Sequence, residues 1–317
     1  EGGLLSAAWI TINVARSMPD FADSMHDVQS GRLEPVRALL QEIAGAQGKT
    51  TPVSLDYAIL FGSLSSESPA LLMGLPSPGP EQRDVIARRC AALFCNGILG
   101  SRGEGGETRF PVPAAPAAEA APPAHIRKLL DVAAAHFMAN GYQGASLDLI
   151  GAEAAVGRGT LYRHFGNKAG LFGATMRDVA HRLAAVIPPP LLDGAASEAA
   201  LTAFLRASLQ VLGGHDSIVL HRTVIAEMRR DPELARDVFA ILRDPWLTPL
   251  IAWLDSLRGT GMIRLHDHPW YARQALVLAF KGNRVIADGE ALDVEEIENS
   301  SHRAAAIFLN GFGSALV

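Results

Sequence analysis

Gly159-Thr160-Leu161-Tyr162-Arg163-His164-Phe165-Gly166-Asn167-Lys168 is the stretch from which the fold can be read. Leu161 and Phe165 stand four positions apart, one helical turn, and so share the face turned to a core. The rest of the segment is rich in donors. Arg158, Thr160, Tyr162, Arg163, His164 and Lys168 suit phosphate oxygens or base edges, and Gly159 has no side chain to keep a backbone from a phosphate. Upstream, Ile126, Leu129, Leu130, Ala133 and Phe137 follow the spacing of an amphipathic helix that Gly141 should end. Ser146 is a good N-cap, with Asp148 in the first turn of a helix predicted over 147–154. A tight turn at Ala155-Val156-Gly157 then leads into a second short helix starting near Arg158. Two short helices joined by such a turn and packed on a longer one make a helix-turn-helix, whose second helix enters the major groove.

The composition allows this reading. With 28 Lys and Arg against 33 Asp and Glu the chain carries −5, so no whole-chain basic field attracts nucleic acid. Residues 125–172 invert that balance: Arg127, Lys128, Arg158, Arg163 and Lys168 against Asp131, Asp148 and Glu153 give a local +2. A length of 317 residues and 49% hydrophobic content indicate two folded domains rather than disorder. Two cysteines exclude a disulfide-stapled secreted scaffold. The early apolar run 4–15 lacks the basic flank of a signal peptide and the length of a membrane span, so a cytoplasmic location is expected. No phosphate-cradling glycine loop, HExxH or nucleophile elbow occurs. Neither an enzyme nor a cofactor or metal is expected.

No alternating apolar pattern of useful length is present, and the expected class is all-α. Residues 101–124 are dominated by Pro, Ala and Gly and read as a linker. On either side the chain repeats itself. Arg89-Cys-Ala-Ala-Leu-Phe-Cys-Asn-Gly97 matches Arg303-Ala-Ala-Ala-Ile-Phe-Leu-Asn-Gly311 at six of nine positions, 214 residues apart. The same separation aligns Tyr57-Ala58 with Tyr271-Ala272, Pro35 with Pro249 and Gly45 with Gly259, and one residue of slippage aligns 19–22 with 232–235. A domain-sized duplication is expected. Its first copy, 1–100, would lack its own helix-turn-helix, and Glu1, with no initiator Met, reads as the edge of a missing domain. Two amphipathic helices are predicted over 270–280 and 304–312, with counterparts at 57–62 and 89–98. A helical stretch over 232–257 should be kinked or broken by Pro245 and Pro249.

Phe137, Gly141-Tyr142, Ser146, Ile150, Ala154, Val156, Gly159-Thr160-Leu161-Tyr162, His164-Phe165, Lys168 and Leu171 together make the sequence similar to the tetracycline-repressor (TetR) family of transcription regulators. Val224-Ile-Ala-Glu-Met-Arg-Arg-Asp-Pro-Glu-Leu-Ala235 resembles the effector domain of its AefR-like branch. The resemblance implies a DNA-binding head at 125–172 and an effector-binding and dimerising domain at 173–317, with 1–100 a partial second copy of the latter. By analogy Ser146, Arg158, Gly159, Thr160, Tyr162, Arg163, His164 and Lys168 contact operator DNA, and the last two helices dimerise. Which of these residues touch bases and which touch phosphates stays open. The chain departs from the family at Ala155, usually Gly, at Gly157, usually Ser or Thr, and at Ala169, usually acidic, followed by Gly170.

The implied function is a repressor released from its operator by a small apolar effector. The alternative is an effector-sensing or partner-docking module with weakened or lost DNA binding. Met228, Phe239, Trp246, Trp253 and Phe280 are candidate pocket walls, though core packing accounts for most such residues. Self-association is expected, either between the two repeats of one chain or as a homodimer. Cys90 and Cys95, five apart on one helix with Cα atoms about 8–9 Å apart, are too far for a disulfide and read as core. His266-Asp267-His268 before Pro269 reads as a polar turn, and residues 62–67 have turn composition.

Overall fold

The structure, a computed structural model, describes residues 31–65, 80–100, 122–281 and 290–316, and these are helical with no strand among them. The expected all-α class is therefore the observed one. Among the described residues the helices are α1 (Glu34–Ala46), α2 (Leu55–Ser65), α3 (Pro80–Gly100), α4 (Ala124–Gly144), α5 (Leu147–Ala154) and α6 (Arg158–Phe165). They continue as α7 (Lys168–Ala184), α8 (Glu198–Leu212), α9 (His215–Glu227), α10 (Pro232–Gly259), α11 (His268–Ala279) and α12 (Val294–Asn310), closed by a 3-10 turn at Phe312–Ser314. None of these helices is long and apolar enough to cross a membrane. The segment 19–22 of the repeat and most of the expected linker, 101–121, lie outside the described residues.

Helices α4, α5 and α6 with the start of α7 form a small head. Ile126, Leu129, Leu130, Ala133 and Phe137 are buried along α4, the stripe that the spacing predicted. Arg127 of α4 grips both oxygens of Asp178 of α7 at 2.6 and 2.7 Å, which fixes how the two long helices lie. Helix α7 leaves the head and packs on α9 and α10, while α8 lies along α12. One core runs through all of this, and it includes Leu40, Leu60, Leu93 and Phe94 of α1–α3. Helix α3 packs along α12, and α2 against α11.

Two expectations need correction. Pro245 and Pro249 do not break the predicted stretch, because α10 is continuous over 28 residues with both prolines inside. Each interior proline costs about 3 kcal/mol. Trp246, Leu247, Leu250 and Trp253 on the same turns are buried, and at about 2 kcal/mol apiece they offset that cost. The turn expected at 62–67 does not begin at Gly62 either. Helix α2 runs to Ser65, and the Ser63 hydroxyl donates back to its own helix at Ile59 O and Leu60 O, both 2.9 Å.

The cysteines lie as expected for core. Cys90 is fully buried with its thiol 3.2 Å from Leu64 O, and burial pushes it up to about 12; Cys95 is half-buried and also raised by burial. At the polar turn, Asp267 caps α11, and His268 places one ring nitrogen against Asp255 and the other 3.0 Å from Leu265 O. No cluster of three or more His, Cys, Asp or Glu able to hold a metal occurs among the described residues.

His221 of α9 is buried, stacked on Phe239 at 5.1 Å, and hydrogen-bonded through Nδ1 to Ser217 O at 2.7 Å. Burial holds its pKa below the ordinary 6.5, so the unfolded chain takes up the proton first. The stabilisation is complete above that ordinary value and is lost as pH falls below it towards the folded pKa. A His221→Gln variant should therefore lose less stability than wild type between pH 7 and 5, measured by urea unfolding. An equal loss in both proteins would remove His221 as the cause.

Candidate nucleic-acid interface

The helix-turn-helix is built by a series of local choices. Gly141, at φ +69°, ends the regular part of α4 and turns the chain towards Ser146. The Ser146 hydroxyl accepts from Leu149 N at 3.5 Å, a long cap on α5, while Ile150 and Ala154 drop into the head core. Ala155 then sits in the left-handed region at φ 57°, ψ 39°. A side-chain-bearing residue there costs about 1–2 kcal/mol, which explains why glycine suits the position. Gly157 occupies the N-cap of α6 and offers it no side-chain acceptor.

Helix α6 is held on one face only. Leu161 is buried and Phe165 half-buried, whereas Arg158, Gly159, Tyr162, Arg163 and His164 are exposed and Thr160 is half-buried. Tyr162 is 51% exposed, an unusual position for a large apolar ring that has a core one residue away. Arg158 reaches Asp148 at 2.5 Å, but both side chains are mostly in water, so the pair is worth little and yields readily to a phosphate. Nothing stands within 4 Å of where a Cβ on Gly159 would lie, which leaves its backbone open to close approach.

Lys168 is placed differently from its neighbours. It is half-buried, its ammonium donates to Gln143 O at 3.2 Å, and it lies 4.9 Å from the centre of the Tyr142 ring. It ties the start of α7 to the end of α4. Tyr142 also packs edge-on to Phe172 at 5.2 Å and takes the Arg230 guanidinium 3.5 Å from its ring centre. Arg230 belongs to the loop between α9 and α10, so this ring joins the head to the larger half.

Reading the sequence alone misses two positions. Tyr142 looked like one more matched residue, yet it is the junction. Gly170, which looked like a weak helix start, is required: a Cβ there would lie 1.9 Å from Phe165 O, the carbonyl that ends α6. Asn167 caps α7 through Gly170 N at 2.9 Å, so the turn between the two helices is tightened by both residues. A glycine in the first turn of a helix, against propensity, is the signal that pointed to this close approach.

The candidate effector residues fall into the larger half. Phe239, Trp246 and Trp253 form a seven-residue stripe down α10, all buried, with Phe280 buried at the end of α11 and Met228 half-buried after α9. Trp246 packs edge-on to Phe204 at 5.7 Å, and the Trp253 indole donates to Ala195 O at 3.2 Å.

With this geometry established, comparison with known proteins gives two matches. Residues 129–175 match the bacterial regulatory proteins of the tetR family, and residues 199–314 match the C-terminal domain of AefR-like transcriptional repressors. The chain carries both domains of a TetR-family regulator. The helix-turn-helix above is thus the DNA-binding head of that family, and 199–314 its helical partner domain. No protein of curated function matches the chain. Among solved structures, the flavonoid-responsive regulator FrrA is 24% identical, covers 58% of this chain and 94% of its own, and superposes with a TM-score of 0.49. A TetR family transcriptional regulator from Pseudomonas syringae is 24% identical with the same coverage and a TM-score of 0.45. Salmonella enterica GusR is 21% identical over 58% of this chain and 95% of its own, with a TM-score of 0.43.

Ala155→Gly removes the left-handed strain from the turn. It should raise stability by about 1 kcal/mol, read as a higher urea midpoint at unchanged slope. A lower midpoint would mean that the Ala155 methyl contributes more than the strain costs.

Proposed function

We propose that this TetR-family chain is a transcriptional repressor whose helix α6 reads operator DNA and which a small, largely apolar effector releases. The observation that carries the DNA-binding part is the one-sided anchoring of α6. Only Leu161 is fully buried, and Arg158, Tyr162 and Arg163 are exposed on the opposite face, Arg158 in an exposed pair with Asp148. Tyr162 and Arg163 would supply base or phosphate contacts, with Gly159 admitting the backbone. Ser146 and Lys168 would act mainly by positioning, since the first caps α5 and the second holds α4 to α7.

The effector part is supported by polar atoms that the larger half buries without partners. Arg273 Nη1, Gln274 Oε1 and Trp246 Nε1 have no hydrogen-bond partner among the described residues, and each residue is at most 2% exposed. Burial lowers the Arg273 pKa to about 10, with Asp267 opposing and Arg243 and Arg89 reinforcing the shift. A guanidinium keeps its charge at neutral pH even so, and a buried unpaired one is costly. An apolar effector bearing an anionic or acceptor group would relieve it. Arg230 on Tyr142 and the Arg177–Asp237 pair, 2.7 Å between α7 and α10, are where a change in the larger half would reach the head.

The second reading, a sensing module with weakened DNA binding, is favoured by the strained Ala155 and the uncapped Gly157. The two readings separate on one assay. Wild type should bind a duplex from the DNA flanking its own gene, with affinity falling steeply as salt rises. Arg163→Ala should cost about 1–3 kcal/mol of that binding. Failure of wild type to shift any flanking fragment, alongside thermal stabilisation by a small molecule, would leave the sensing module.

Arg273→Met should raise the melting temperature of the ligand-free protein, because it replaces a buried guanidinium whose Nη1 has no partner among the described residues with an apolar chain of similar length. A fall in melting temperature would show that Arg273 already has a partner and remove it from the effector site.

A further inference from the structure

We propose that α1–α3 serve as a built-in second protomer: they cover, from within the same chain, the face of α11 and α12 on which another copy would dock. This does not rest on the repressor reading. It rests on a reciprocity between contacts that are far apart in sequence.

In a two-fold interface, whenever residue i of one partner touches j of the other, the counterpart of j must touch the counterpart of i. The repeat supplies the counterparts: Tyr57 with Tyr271, Arg89 with Arg303, Cys95 with Leu309, Asn96 with Asn310 and Gly97 with Gly311, each 214 residues apart. The Arg89 guanidinium lies 5.3 Å from the Tyr271 ring centre, and the Arg303 guanidinium lies 5.7 Å from that of Tyr57. The first contact joins α3 to α11 and the second joins α12 to α2.

The glycines show the same exchange at a different place. A Cβ on Gly97 would lie 2.3 Å from Leu309 C and 2.4 Å from Asn310 N; one on Gly311 would lie 2.2 Å from Cys95 O and 2.9 Å from Asn96 N. The two backbones cross with no room for a side chain on either. Both glycines also have positive φ, 63° where Gly97 interrupts α3 and 85° where Gly311 ends α12. The helix pairs correspond as well: α1 packs on α2 as α10 packs on α11, and α2 on α3 as α11 on α12. A chance packing of unrelated helices has no reason to return each contact at its counterpart.

The departures from symmetry specialise the two sides. Position 270 is Trp where position 56 is Asp. Arg89 therefore lies over Trp270 at 4.1 Å and pairs with Asp267 at 2.9 Å in a buried site, whereas Arg303 meets Asp56 at 3.5 Å in a more open one. The C-terminal turn adds contacts to α2 and α3. Phe312 stacks on Phe94 at 5.4 Å, and Tyr57 donates its hydroxyl to Ala315 O at 2.6 Å. The first-half face is thus fitted to this chain's own second half.

The test uses the full 317-residue chain with a protease site inserted within 101–121. Light scattering at micromolar and nanomolar concentrations should give the mass of one chain, 33.6 kDa. After cleavage the two fragments should co-elute at the same mass. A mass of two chains before cleavage, or separation of folded fragments after it, would overturn the proposal. Gly97→Val in the same cleavable chain should make the fragments separate or raise the mass to two chains. Unchanged co-elution in that variant would also overturn it, since the crossing cannot accept the added atoms.

Discussion

The Tyr142 ring carries two cations from two parts of the molecule, Lys168 at 4.9 Å and Arg230 at 3.5 Å, while its edge is packed on Phe172. Each cation–π contact is worth about 0.5–2 kcal/mol, depending on how far it is desolvated. Their importance lies in what they connect. Lys168 starts α7, Tyr142 ends α4, and Arg230 sits between α9 and α10. The angle of the head to the larger half therefore depends on a ring that three elements share. The Arg127–Asp178 pair fixes α4 against α7 further along, and Arg177–Asp237 fixes α7 against α10. These contacts tie the helices that carry α6 to one another and to the larger half.

The head was legible in the sequence because its structure is set by local chemistry. Ser146 as N-cap, Gly141 at positive φ and a turn before Arg158 act over four or five residues, so the predicted helix 147–154 coincides with α5. The exposed face of α6 was legible for the same reason, as a four-residue apolar spacing leaves the other positions outside. What stayed hidden depends on distant partners. Nothing near Lys168 in sequence announces that Gln143 O takes its ammonium, and a donor-rich motif alone assigns it to phosphate.

The prolines of α10 and the glycine of α7 show the same limit from opposite directions. Propensity argues for a break at Pro245 and Pro249, but the buried Trp and Leu side chains on those turns outweigh it. Propensity also counts Gly170 as a flaw, whereas the close carbonyl of Phe165 makes it the residue that fits. In each case a tertiary contact decides, and a single-chain pattern contains no term for it.

The covered face of α11 and α12 changes where regulation can act. In a symmetric pair of heads, an effector can work by altering the distance between them across the shared interface. With α1–α3 on that face, as proposed, the shared interface lies within one chain. On the proposed reading, an effector would act by changing how α4 and α7 meet α9 and α10. Beside the packing of α4 on α9 and of α7 on α9 and α10, the polar contacts across that boundary include Arg230 on Tyr142, an exposed cation on a ring, and Arg177 with Asp237, a part-buried ion pair. A coupling of about 1–3 kcal/mol between two sites is the usual size of effector control. The boundary between head and larger half is thus the place where the proposed effector control would reach α6.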